Sequence, residues 1–372
     1  MRASSTGRAS ALRSVLALLS LMAVSSVVGA CTLGGGGTTT KPTPTSTSTT
    51  ASTIAIHEYQ LPDKEYAPSD IAASADGALW FTETTTTSLT GKIGRVTTSG
   101  AFSSYPMPRA DVYPTNITKG PDGNMWFTEA SAASNGGIGR ITPSGSINEY
   151  ALPPSAIPLD ITAGPDGAIW FTTVEGAAQV GKIGRITTSG AITYFRPHDH
   201  DYTPRLIIAG PDGALWFTEM PGSSMTGKIG RITTSGAITE FPLPSADYMD
   251  ASAIAAGPDN NIWYVETGGK GTYDKFVRMT TAGVTTEFTS TNPAGMPIQY
   301  MVVGPDKALW FGGPTLGRVT TSGQFSHIAL PTSSNMVFGM TIGPDGKLWF
   351  TEAYGSGPSG PNGVNGKIGT LA

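Results

Sequence analysis

Five glutamates recur at one place in a repeated string. Glu83, Glu129, Glu219, Glu266 and Glu352 each end a Trp-Phe-Thr-Glu run or a close variant of it, while Thr173 and Gly313 stand at the same place in two further copies. Carboxylates held close together repel, raise one another's pKa and attract a cation or a cationic ligand. A glutamate copied with its repeat also has a plain structural use, as a hydrogen-bond partner of the neighbouring unit. A second set of positions lies five residues before each Gly-Pro-Asp-Gly-like turn. It reads Ser69, Thr115, Leu159, Arg205, Ser252, Gln299 and Phe338. Change at one position against a constant background is what a ligand-reading surface needs, and also what drift produces. Arg205 beside these acids would form a salt bridge with Glu219 or an anion contact. A third set is the run His198-Asp199-His200-Asp201, the densest metal-capable or acid–base cluster of the chain. Adjacent residues of an extended chain face opposite sides, so at most two alternate groups, such as His198 and His200, can easily share one ion. The same run also reads as a solvated polar loop.

The elements that must position these groups are themselves repeated. The seven tryptophans are Trp80, Trp126, Trp170, Trp216, Trp263, Trp310 and Trp349, spaced 46, 44, 46, 47, 47 and 39 apart. Each unit carries four short strand candidates, in the fourth copy 206–209, 214–218, 228–233 and 237–242. Pro-Asp-Gly and Thr-Ser-Gly turns separate them, each offering a glycine able to take positive φ. Four antiparallel strands in about 45 residues make a propeller blade, and seven blades make one ring. A solenoid would need distinct end caps, and the repeats show none. The last copy stops at its third strand, Lys367 to Leu371, and the missing fourth matches Ile54 to Pro62. The fold class read from the sequence is therefore all-β: a seven-bladed β-propeller over residues 54–372, closed by its N-terminal strand. A closed ring leaves no open edge, and a monomer is the expectation.

The ends and the composition set the setting. Residues 1–30 carry Arg2, Arg8 and Arg13, no acid, and an apolar stretch from Val15 to Val28 that is too short for a stable span. The stretch ends in Val28-Gly29-Ala30-Cys31, which resembles a bacterial lipobox with Cys31 as the lipidated residue. Residues 31–53 hold that cysteine and a Gly/Thr/Pro tether. A secreted, cell-surface lipoprotein is expected, touching the membrane through its lipid anchor alone. Without the three arginines of the leader, 20 basic residues face 27 acidic ones, a net charge of about −7. Charged residues make up only 13% of the chain, and that acidic balance argues against nucleic acid as a partner. The lone cysteine excludes an intrachain disulfide. No nucleotide loop, zinc spacing or nucleophile elbow occurs.

The repeated WFTE, GKIGRIT and ITEFPLP strings resemble the virginiamycin B lyase family, also called streptogramin B lyases, across residues 54–372. The resemblance implies ring-opening elimination on a cyclic depsipeptide antibiotic, a carbon–oxygen lyase reaction assisted by Mg²⁺. It implies catalytic groups at one mouth of the channel: histidines five residues before the last two turns, a glutamate two residues before the second histidine, and the last WFTE glutamate. Here those positions hold Gln299, Phe338, Met336 and Glu352. Only Glu352 matches, so it is the candidate catalytic and metal-binding residue that the resemblance carries over. Neither Phe338 nor Met336 can move a proton. Two readings follow. One is a lyase-like enzyme with altered catalytic groups. The other is a non-catalytic surface propeller that binds a small molecule, peptide, glycan or antibiotic at its mouth through Glu83, Glu129, Glu219, Glu266, Arg205 and Gln299.

Overall fold

A computed structural model describes residues 55–371, apart from 86–89, 132–134, 177–178, 198–200, 223–225, 245–249, 268–273, 291–297, 333–334 and 355–365. The described strands form seven four-stranded antiparallel sheets. Blades 1 to 6 occupy 66–106, 112–151, 156–195, 202–242, 250–289 and 301–329. Blade 7 runs over 335–371 and takes its fourth strand, Ile56–Gln60, from the start of the chain. Ile56 lies opposite Leu371 and Gln60 opposite Lys367. The first strands of neighbouring blades touch all the way round, so they line the axis and the ring is closed.

Each letter of the Trp-Phe-Thr motif has a separate task in holding the blades together. The tryptophan enters the gap to the next blade. Trp216 of blade 4 packs on Ile254, Ile262 and Tyr264 of blade 5, and Trp349 of blade 7 packs on Leu79 and Phe81 of blade 1. Its indole N–H donates to the turn aspartate four residues earlier, as from Trp216 to Asp212 at 3.0 Å. That aspartate also accepts from an arginine of the third strand, Arg231 at 2.6 Å. The phenylalanine points to the other face, over a third-strand glycine. A Cβ at Gly230 would collide with the Phe217 ring, which is why the third strand reads Lys-Ile-Gly-Arg-Ile. The threonine hydroxyl stitches inner strands together: Thr82 accepts from Asp70 N–H at 3.0 Å and donates to Thr115 carbonyl of the next blade at 2.8 Å.

The first strand of blade 4 begins at Tyr202, four residues before the sequence expectation, because it continues through a bulge between Pro204 and Ile207. Blades 1, 2, 3, 5 and 7 bulge at the corresponding place. Turn glycines take positive φ as expected, 73° at Gly213 and 95° at Gly236. Blades 5 and 6 put Asn260 and Lys307 there, at 59° and 58°. Asparagine tolerates that region and lysine is strained in it. Blade 6 departs most from the repeat. Its first two strands, Met301–Val303 and Leu309–Phe311, have three residues each. Ile328 stands there where other blades stack an aromatic on their tryptophan.

Candidate functional site

The bulges define the site. A bulge releases its residues from the ladder and re-aims their side chains. The residues released are Ser69, Thr115, Leu159, Arg205, Ser252 and Phe338, with Gln299 just ahead of the short first strand of blade 6. The position that varies from blade to blade is thus the one that falls out of the strand ladder.

Arg205 finds its partner across the blade boundary. Its Nη1 lies 3.4 Å from Asp250 Oδ2 of blade 5 and 3.9 Å from the Met220 sulfur. The expected pairing with Glu219 of its own blade is not formed. Asp250 sits two residues before Ser252 and accepts from Ala251 N–H at 2.8 Å. Burial pushes its carboxyl above the ordinary range, and the Arg205 charge opposes the rise.

One residue further along the inner strands lies a cluster that the sequence reading did not single out. Asp70, Asn116, Asp160 and Tyr300 come from blades 1, 2, 3 and 6. The Tyr300 phenol lies near Asn116 and feels the charges of Asp70 and Asp160, so its side chain reaches from one side of the ring to the other. Burial raises the phenol well above its usual range, and the two aspartates add to the rise. Asp70 Oδ2 accepts from Ile117 N–H of blade 2 at 2.8 Å, and Asp160 Oδ2 from Ile207 N–H of blade 4 at 2.8 Å. Burial lifts Asp70 to about 7, against the Ile117 N–H and helped by the Asp160 charge. Burial likewise lifts Asp160 to about 6, against the N–H groups of Ile207 and Ile161. The available signal was the residue that follows each variable position, where two aspartates, an asparagine and a tyrosine stand. Together these groups give the channel an aromatic crossbar edged by carboxyl and amide groups.

The five glutamates lie elsewhere. Instead of gathering round the mouth, they are enclosed in the wall: Glu83 is 4% exposed, and Glu129, Glu219, Glu266 and Glu352 are 0% exposed. The reason is strand alternation. Each glutamate follows a phenylalanine, or Tyr264 in blade 5, by two residues and shares its face, and in blades 1, 2 and 7 it lies over the same third-strand glycine. A Cβ at Gly139 would meet Glu129 Oε1 at 2.6 Å, and one at Gly369 would meet Glu352 Oε1 at 2.8 Å. Glu352 Oε2 accepts from Asn335 at 3.3 Å, and Glu58 and Lys367 are its charged neighbours. Burial, then the Glu58 charge, raise it to about 7.

Met336, Phe338 and Gln299 are half-buried on or beside the inner strands. As a magnesium site these positions do not fit, because that ion wants about six hard oxygens. Met336 offers a thioether, Phe338 offers no donor, and Glu352 is turned into the wall. Among the described residues no group of three or more His, Cys, Asp or Glu is placed to hold a metal. His198 and His200 lie outside the described residues, as do Cys31 and the tether. His57 and His327 stand in outermost strands.

Comparison with known proteins agrees with this architecture. Residues 46–227 and 178–370 match the profile of the Virginiamycin B lyase family. No curated protein matches. Among solved structures, a streptogramin B lyase superimposes with a TM-score of 0.69 at 28% identity, covering 86% of this chain and 97% of that one. A virginiamycin B lyase from Staphylococcus aureus, a catalytically inactive histidine-to-alanine variant with quinupristin, gives 0.69 at 31% identity, covering 86% and 99%. The selenomethionine form of the Staphylococcus aureus enzyme gives 0.69 at 32%, again covering 86% and 99%. With the profile spanning the whole ring and identity above 30% over most of the chain, this protein belongs to the virginiamycin B lyase family.

Proposed function

We propose that this chain is a binding member of its family, holding a cyclic depsipeptide or a related peptide-like ligand at the channel mouth without opening it. The observation that carries the reading is the set of side chains at the positions where the family resemblance puts proton-moving groups. Gln299, Met336 and Phe338 cannot take a proton next to a carbonyl, and Glu352 is enclosed in the wall. The Staphylococcus aureus relative supports the same division, since its histidine-to-alanine variant is inactive and is described with quinupristin. In this chain Arg205, one residue up the channel from the Tyr300 crossbar, and its partner Asp250 of the next blade supply fixed polar contacts for such a ligand. Cys31 would display the ring at the outer face of a bacterial membrane.

The test incubates the protein with quinupristin and Mg²⁺. The expected result is unchanged antibiotic by chromatography, with a ligand-dependent rise in melting temperature. Elimination opens the ring at constant mass and shifts its retention, and that outcome would establish the lyase reading instead. Failure to stabilise the protein at all would remove the peptide-like ligand from the proposal.

A further inference from the structure

The wall glutamates carry an inference that is independent of what the mouth binds. In blades 2, 5 and 7 an inner glutamate meets a second acid from the outermost strand, and blade 4 sets Glu240 opposite Gly230 in the same way, beside Glu219. Glu149 stands opposite Gly139, the glycine over which Glu129 lies. Glu58 stands opposite Gly369, over which Glu352 lies. In blade 5 Glu287 stands opposite Val277, and Glu266 feels its charge. Each pair has one cation. Arg109, from the connection between blades 1 and 2, lies 3.6 Å from both Glu129 and Glu149. Lys275 lies 2.7 Å from Glu287, and Lys367 pairs with Glu58. In blades 2 and 7 two largely buried carboxyl groups and one cation leave a net negative charge in the wall; in blade 5 Glu266 is buried while Glu287 stands exposed on the outer strand. Both oxygens of Glu129 and of Glu266, and Oε1 of Glu352, Glu58 and Glu149, are buried without a hydrogen-bond donor. An ionised carboxylate with no donor is costly inside a protein.

The repeat itself supplies a control. Blades 3 and 6 lack the inner glutamate, with Thr173 and Gly313 in its place, and they also lack the outer acid, with Tyr194 and His327 there. Blade 1 keeps Glu83 but has Ser104 opposite Gly94, and Asp63 brings the second carboxylate to Lys92 instead. In six of the seven blades the two acids are present or absent together, blade 1 being the exception, as partners sharing one occupant do.

We propose that the pairs Glu129–Glu149 and Glu266–Glu287 each hold one proton between their carboxyl groups at neutral pH, making the blade wall a set of proton-binding sites that acid tightens and alkali loosens. That proton sits on one carboxyl oxygen of the pair and is donated to an oxygen of the other, so it relieves part of the missing donor set. Tyr264 also faces the Glu266 site. Burial and then the partner's charge lift Glu129 to about 8, against Arg109, and lift Glu266 to about 7, against Lys275. These values lie above the unfolded value of 4.5, so the folded ring binds more protons than the unfolded chain in between. Stability is therefore full below about pH 4.5 and falls as pH rises towards 7 and 8. Each shared proton changes the folding equilibrium by about tenfold per pH unit in that window.

The test is a set of melting curves between pH 5 and 9 for wild type, Glu129→Gln, Glu266→Gln and the double variant. Wild type is expected to lose melting temperature as pH rises. Each glutamine variant is expected to flatten that slope and to melt above wild type at pH 9, the double variant most. Parallel curves for wild type and variants would overturn the proposal. Should a variant fail to fold, infrared spectroscopy of wild type still decides. A protonated-carboxyl C=O band present at pH 6 and lost by pH 9, with the fold intact, supports the shared protons, and its absence at pH 6 overturns them.

Discussion

A chain that begins after Pro62 is expected to lose its single folded monomer, whereas one that begins at Ile54 is expected to melt as the full protein does. The difference is one strand. Ile56–Gln60 is the outer edge of blade 7, and all five of its residues are in register with 367–371. Tyr59 stacks on Trp349 with ring centroids 5.6 Å apart, and a Cβ at Gly100 of blade 1 would collide with the same tyrosine ring. Leu61 is buried with Trp349 and Ile71. Gln60 donates to Gly366 carbonyl at 2.9 Å, and Glu58 pairs with Lys367. Burying Tyr59 and Leu61 is worth about 2–3 kcal/mol each, a large share of the roughly 5–15 kcal/mol that holds a native protein together. Removing them also bares the backbone of 367–371 as an edge strand, which templates pairing with a second chain. Light scattering after size exclusion is expected to show oligomers for the shorter chain, together with a broad, lowered melt. A monomer melting within about 3 °C of wild type, less than the shift expected from losing 2 kcal/mol, would mean that the ring does not need its clasp.

That clasp was legible in the sequence because the repeat is unfinished at one end and begun at the other. The tryptophan spacing and turn glycines gave the blade count for the same reason: each is a local pattern whose meaning does not depend on how blades meet. The wall glutamates show where local reading stops. Their string was visible, but their direction followed from strand alternation and from the third-strand glycine opposite, a relation between two strands. The pairing of Arg205 with Asp250, and the meeting of Tyr300 with Asn116, join different blades. A repeat carries no record of the rotation between blades, so no spacing along the chain reports which residues face each other across the axis. The variable position was found by counting back from each turn; that it varies because a bulge frees it from the ladder became clear only with the strand pairing.

Trp216→Ala is expected to cost about 3–5 kcal/mol, the range for truncating a fully buried large aromatic. The indole is 0% exposed and belongs to two blades at once. It stacks on Phe241 of its own blade with centroids 5.6 Å apart and planes at 15°, and it fills the gap against Ile254, Ile262 and Tyr264 of the next. Alanine leaves a cavity between blades that neither can close alone. It also takes a donor from Asp212, where burial acts to raise the carboxyl but hydrogen bonds from Trp216 and Arg231 hold it below the ordinary range. Trp216→Phe separates the two effects, restoring most of the ring while leaving Asp212 to Arg231 and Ala214, so it is expected to cost clearly less than alanine. Trp310 offers the internal comparison. It is 3% exposed and has Ile328 where the others have an aromatic. A stacked aromatic pair adds about 0.5–1.5 kcal/mol beyond area burial, so Trp310→Ala is expected to cost less than Trp216→Ala by about that amount. Urea unfolding of the three variants measures all of this. Unchanged slope with a lowered midpoint for Trp216→Ala would show the blades unfolding as one unit. A loss below about 1 kcal/mol, outside the range for such a cavity, would mean the blades stand without the wedge that defines their repeat.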